Sequence, residues 1–175
     1  MPIYNVFMGQ GVSVPNLGAN TLITGPGAAK DTIQSCAAVI LFNTGSHAAG
    51  LFHFPAGNIL TDGVSRANLI SMSGAVVPDQ AYIAYGVQGI GHVHNPVTAT
   101  DPYATNLLSF VVGLLPFECR LRGMPAPTGI ASISLAANGS ANIGSIRPAV
   151  ALTSLRAVAA GNYHAAGYTV YGTAR

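Results

Sequence analysis

The sequence is poor in charged residues. Only 7% of its 175 residues are charged, and the formal net charge is +2. Soluble domains usually contain about a quarter of charged residues. Arg120 and Arg122 form the one close basic pair, and no segment mixes basic with aromatic residues. Because a nucleic-acid-binding surface needs such a cluster, we predict no nucleic-acid partner.

Long apolar runs are also lacking, although 50% of the residues are hydrophobic. The longest runs, residues 36–42 and 107–115, are far shorter than the roughly 20 residues of a membrane-spanning helix. We therefore predict no membrane span. Residues 1–11 lack the basic and apolar regions of a signal peptide, so none is predicted.

Lysine and cysteine are rare. Lysine occurs once, at Lys30, and the two cysteines are Cys36 and Cys119. With so few cysteines, thiols in a reducing compartment are expected rather than a disulfide. Some translocated toxins are depleted in lysine, which limits ubiquitination, but a compositional bias of the source has the same result.

The pattern along the chain predicts more strands than helices. Short apolar segments predict strands at 3–8, 21–24, 36–42, 50–54, 81–87, 117–121, 130–135, 141–146 and 168–171. Apolar periodicity predicts helices at 64–72, 103–115 and 150–159, the first beginning after Asp62, near Gly63. Asn138-Gly139, between the strands at 130–135 and 141–146, is the strongest short-range hairpin signal. This mixed order, with consecutive hairpins, favours a single α/β domain over residues 1–175. We expect an α/β sandwich with a mixed, largely antiparallel sheet flanked by helices.

The two apolar runs at 36–42 and 50–54 form the most informative local pattern. A two-residue turn at 44–45 would join them as a hairpin. In that hairpin Cys36 stands directly opposite His53, on the same face and within side-chain reach. A longer loop would shift this pairing by two or more residues.

A cysteine paired with a histidine can be a nucleophile and its base. A free thiol titrates near about 8.5 and needs a neighbouring base to react at neutral pH. Histidine can take that proton and then give it to a departing amine. From the residues alone, the alternative is a small buried cysteine beside a hydrogen-bonded core histidine. His47 is a rival base, although the predicted hairpin places it about 20 Å from Cys36.

Residues 32–42 (TIQSCAAVILF) and 50–55 (GLFHFP) resemble the core motif of the CheD chemoreceptor glutamine deamidases. That family has a Ser-Cys-Val-Ala-Val-like strand, a turn and a Gly-x-x-His-Phe-like strand. The same Cys-His arrangement and fold occur in the cytotoxic necrotizing factor toxins and the Burkholderia lethal factor. The resemblance implies a nucleophile at Cys36, a base at His53 and a protein glutamine as substrate. It implies no metal or organic cofactor.

The sequence departs from that family at three points. Gln34 stands where CheD proteins usually have glycine. The family's threonine upstream of the cysteine would fall near Lys30, so Thr32 is the candidate third catalytic residue, orienting His53. The charged surface of chemotaxis proteins is missing. This favours a toxin-like effector, secreted or translocated without a signal peptide and acting in a cytoplasm, with a cytoplasmic protein as the alternative.

Other patterns indicate ordinary structure. His92 and His94 share one strand face, as in some metal sites, but no acidic or cysteine ligand is near, which favours a surface loop. The glycine-rich residues 86–91 have the wrong spacing for a phosphate loop. Cys119 is expected to be an inert core thiol.

The sequence leaves two alternatives to a deamidase open. Transglutamination, in which an amine replaces water, uses the same thioester intermediate as deamidation. The alternative to an enzyme is a non-catalytic binding or structural module with a buried cysteine, such as a capsid-like or appendage component. Low charge, many hairpins and abundant glycine, alanine, asparagine and serine would suit that class.

Overall fold

Two β-sheets and two α-helices make up the described part of the protein. The structure is a computed structural model that describes residues 1–27, 31–34, 36–55, 62–86, 102–116, 118–163 and 167–175. The larger sheet has seven strands, in the spatial order β11 (Gly161–Tyr163), β12 (Tyr168–Tyr171), β2 (Gly11–Val14), β5 (Ala49–Phe54), β4 (Ala37–Phe42), β6 (Gln80–Gly86) and β7 (Arg120–Ala126). Its neighbouring strands are antiparallel, except that β6 and β7 are parallel. Parallel neighbours need a long crossover, and the chain passes through a helix between β6 and β7.

The smaller sheet has five strands. Their spatial order is β10 (Thr153–Ser154), β1 (Ile3–Val6), β3 (Thr21–Thr24), β8 (Ala131–Leu135) and β9 (Ala141–Gly144). Strand β1 is parallel to both of its neighbours, and the other pairs are antiparallel. Both sheets are therefore mixed.

The main core lies between the two sheets. Successive side chains of a strand point to opposite faces. Ala38 and Ile40 of β4 accordingly pack with Leu22 and Ile133 of the smaller sheet. The alternate β4 residues, such as Val39, belong to a second cluster on the other face of the larger sheet. This burial on both faces explains why β4 is an unbroken apolar run.

Two helices cover the outer face of the larger sheet. Helix α1 (Gly63–Val76) buries Leu69 and Met72 against it. The carboxylate of Asp62 accepts a hydrogen bond from the Ser65 N–H and caps the first turn of α1. Helix α2 (Pro102–Leu114) contributes to the same apolar cluster. With 14 and 13 residues, neither described helix is long and apolar enough to cross a membrane.

The predicted α/β class with mixed, largely antiparallel pairing is confirmed, but there are two sheets instead of one, and the helices lie on one outer face. The helix predicted at 150–159 is wrong. Thr153–Ser154 form a strand on β1, and the N–H of the fully buried Leu155 donates to the Asn5 carbonyl oxygen. These pairings to β1 outweigh the helical propensity of an alanine-rich segment.

Candidate active site

The β4–β5 hairpin has a longer loop than predicted. Ala38 stands opposite His53, so Cys36 does not, and the predicted pairing is wrong by two residues. The Asn43 N–H donates to the Ala48 carbonyl oxygen and closes a loop of four residues.

The side chain of Asn43 explains this loop. Its Oδ1 accepts hydrogen bonds from the N–H groups of Gly45 and Ser46. His47 completes the loop in a left-handed conformation with φ 59. Asparagine commonly stabilises turns through such local hydrogen bonds.

Cys36 lies two residues before Ala38, the partner of His53, and directly before the first paired residue of β4. Cys36 is 7% exposed and His53 is fully buried. Ala38 packs in the core between the two sheets, and His53, which stands opposite it, shares that face.

A hydrogen bond between the two sheets fixes the imidazole ring of His53. Oγ1 of Thr24, at the end of β3, lies 2.8 Å from Nδ1 of His53. The same hydroxyl donates its hydrogen to the Val6 carbonyl oxygen at 2.8 Å. A threonine hydroxyl has one hydrogen, so towards His53 it can only accept. Nδ1 therefore carries the ring proton, and Nε2 has the lone pair of a base.

Burial keeps His53 in this neutral form. Removal from water lowers the pKa of His53 to about 4, although the carboxylate of Asp31 acts in the opposite direction and raises it. Asp31 is itself mostly buried and forms an ion pair with Arg156. At neutral pH the ring is therefore uncharged and able to accept a proton.

Nε2 of His53 has no hydrogen-bond partner among the described residues. A buried polar atom in that state costs about 1–3 kcal/mol and needs an explanation. The thiol of Cys36 does not donate to it, and instead its Sγ donates to Sδ of Met8 at 3.6 Å. The Cys36 thiol and Nε2 of His53 therefore form no hydrogen bond with each other in this structure.

Met8 belongs to a turn between β1 and β2 that lies along His53. The Gly9 N–H donates to the His53 carbonyl oxygen at 2.9 Å, and the His53 N–H donates to the Gln10 carbonyl oxygen at 2.9 Å. On the other side, the Arg175 N–H donates to the Met8 carbonyl oxygen at 2.9 Å. The backbone of this turn is consequently fixed beside both Cys36 and His53.

Thr32, the residue expected to orient His53, forms no hydrogen bond to either ring nitrogen. Thr24 is bonded to Nδ1, and Nε2 has no partner within the described ranges. Thr32 instead lies against Gly129, where an added Cβ would be 2.9 Å from the threonine Cβ. The sequence contains no local signal for Thr24, because its contact with His53 depends on how the two sheets stack.

His47 and Cys119 lie away from this site. His47 is at the far end of the hairpin and stacks on Phe42, with ring centroids 6.2 Å apart. Six residues of β4 separate it from Cys36, about 20 Å of strand. Cys119 packs against the helical face of the larger sheet, and burial, followed by the charge of Asp79, raises the pKa of its thiol. The surface loop predicted at His92 and His94 lies outside the described residues.

Comparison of the chain with protein-family models, with curated proteins and with solved structures finds no match. A functional assignment therefore depends on the geometry around Cys36 and His53 and on the resemblance carried by residues 32–42 and 50–55.

Proposed function

We propose that the protein is a cysteine-dependent hydrolase that deamidates a glutamine side chain on a target protein. The hydrogen bond from Nδ1 of His53 to Thr24 carries this proposal. It makes Nε2 the basic nitrogen of a buried ring, and the residue opposite that ring, Ala38, is two residues from Cys36. Nucleophile, base and an orienting group for the base are the three parts of a nucleophilic triad.

The proposed reaction begins when Sγ of Cys36 attacks the carboxamide carbon of the substrate and its proton moves to Nε2 of His53. The tetrahedral intermediate collapses, the C–N bond breaks, and the protonated ring gives its proton to the departing ammonia. A water molecule then attacks the thioester, His53 takes its proton, and the thiol of Cys36 and a glutamate side chain are released. An amine in place of water would give transglutamination.

Two neighbours assist His53 in this scheme. Thr24 keeps the ring in one tautomer and one orientation throughout both half-reactions. The carboxylate of Asp31 stabilises the imidazolium that forms when the thiol proton arrives, because its charge raises the pKa of His53. The low pKa, about 4, means that the pair starts as thiol and neutral imidazole, not as a preformed ion pair.

We also propose a fold and a cellular setting for the protein. A sandwich with helices on one outer face would be the CheD-like fold shared by the deamidase toxins. The single lysine and the weakly charged sequence support an effector that acts on a protein in a cytoplasm. A cytoplasmic enzyme with an endogenous target is the alternative.

The test is the rate at which iodoacetamide alkylates Cys36, with Cys119 as the internal control. We expect His53→Gln to slow Cys36 labelling about tenfold or more, because the base is lost. His47→Gln is the matched control and should label like the wild type. The difference in Cys36 labelling rate between the wild type and His53→Gln should persist at pH 5 to 6, since His53 with a pKa of about 4 is still uncharged there. Equal Cys36 rates in all three proteins would mean a structural cysteine and would end the enzyme proposal.

A further inference from the structure

The proposed nucleophile is covered in this structure. Cys36 is 7% exposed and His53 is fully buried, so a glutamine side chain cannot reach them without displacing something. Sγ of Cys36 donates to Sδ of Met8 at 3.6 Å, and this contact is only partly buried. Met8 is itself half-buried, so the contact joins the buried thiol to a side chain that is partly exposed.

Methionine and glutamine have the same side-chain length. Both are unbranched, and the Sδ atom of methionine occupies the δ position that the carboxamide carbon occupies in glutamine. Reacting atoms in a near-attack arrangement are about 3–3.5 Å apart. The Sγ to Sδ distance of 3.6 Å is close to that range. The Met8 side chain therefore reaches Cys36 as an attacked glutamine would.

We propose that Met8 occupies the place of the substrate glutamine and acts as a built-in pseudosubstrate that an incoming glutamine side chain displaces. This inference rests on the proposed deamidase function and extends it to the substrate-binding position. It also assigns specificity, because the position that Met8 occupies fits an unbranched side chain whose reactive carbon is at the δ position. Asparagine, one carbon shorter, would not reach Sγ.

The surrounding contacts allow the side chain to move while the turn stays in place. The backbone of the turn is fixed, through Gly9 and Gln10 to His53 and through the Met8 carbonyl oxygen to Arg175. Methionine has several rotatable bonds and adapts easily to new surroundings. Once its thioether leaves, the Cys36 thiol loses that acceptor, and Nε2 of His53 is a buried acceptor that has no partner among the described residues.

The substitution Met8→Gln tests this directly, because it would place a glutamine in the proposed substrate position. We expect residue 8 to convert to glutamate in the purified protein, with loss of ammonia, at a rate independent of protein concentration. Tandem mass spectrometry locates the change, and Gln10 and Gln80 serve as internal controls that should stay unchanged. Conversion should be absent in Met8→Gln combined with Cys36→Ser.

A second variant tests the covering role without relying on hydrolysis. In Met8→Ala the thiol loses its cover, and Cys36 should react severalfold faster with iodoacetamide while Cys119 is unchanged. Met8→Leu, which keeps most of the volume, should remain close to the wild-type rate.

The outcomes separate the two proposals. If residue 8 stays glutamine while Cys36 labelling still depends on His53, the pseudosubstrate inference is wrong and the deamidase proposal stands. Unchanged labelling in Met8→Ala would likewise overturn the inference. If Cys36 labelling does not depend on His53 at all and residue 8 is not converted, both proposals fail together.

Discussion

Among the described residues, His53 is the one through which acidification should destabilise the protein. Its pKa is about 4 in the folded state because the ring is fully buried, and about 6.5 in an unfolded chain. The unfolded chain therefore binds a proton below about pH 6.5 that the folded chain does not bind until about pH 4. The free energy of unfolding should accordingly fall as the pH falls through this window, and level off below it.

The pKa values set the size of this effect. Each unit of difference corresponds to about 1.36 kcal/mol, so the full loss from His53 is on the order of 3 kcal/mol. Asp62 adds little within the same window. Burial alone would raise the pKa of Asp62, but hydrogen bonds from Arg175 and Ser65 lower it overall, so the stability it contributes is lost only at lower pH.

Urea unfolding followed by circular dichroism at several pH values between 7 and 4.5 measures this loss. Tyrosine fluorescence is a second signal, since the chain has seven tyrosines and no tryptophan. The matched control is His53→Gln, which has no titrating group at that position and should show a much flatter profile. If the two profiles run parallel, His53 is not buried in its neutral form and the assignment of its basic nitrogen is wrong.

Three further substitutions have defined expectations. Thr24→Val should leave a buried ring N–H without an acceptor, lower the free energy of unfolding by about 1–3 kcal/mol and slow labelling of the active-site thiol, whereas Thr24→Ser should restore both. Gly25→Ala should lower the free energy of unfolding, measured with urea, by more than about 2 kcal/mol. The φ of Gly25 is +91, and an added Cβ would lie 2.0 Å from the Gly129 carbonyl oxygen. An unchanged free energy of unfolding would contradict this close approach. Arg175→Ala should lower the free energy of unfolding by about 1 kcal/mol or less, because the side chains of the ion pair, Arg175 and Asp62, are 44% and 19% exposed. The pKa of the Asp62 carboxyl, measured by NMR titration, should rise in this variant. An unchanged pKa would exclude the ion pair in solution.

Local signals predicted the elements whose determinants are close in sequence. Asp62 before an apolar periodic segment predicted the start of α1, and its carboxylate does cap that helix. Asn138-Gly139 predicted the β8–β9 hairpin, and Gly139 has the positive φ of 81 that such a turn requires. In both cases one or two side chains determine the backbone conformation.

The errors come from contacts that the sequence does not show. The hairpin loop is two residues longer than predicted because the Asn43 side chain competes with a tight turn. That shift places Ala38, and not Cys36, opposite His53. Thr24 could not be found at all, since it lies in the other sheet and 29 residues from His53.

The hydrogen bond from His53 to Thr24 also provides a spectroscopic signal for the contact between the two sheets. A ring N–H that is buried and hydrogen-bonded exchanges slowly with solvent, so its proton should give a separate resonance in NMR spectra. Separation of the sheets near the site would let water reach this proton and broaden that resonance, even while the strands remain paired within each sheet. Local opening of the sandwich can thereby be distinguished from global unfolding by observing one proton.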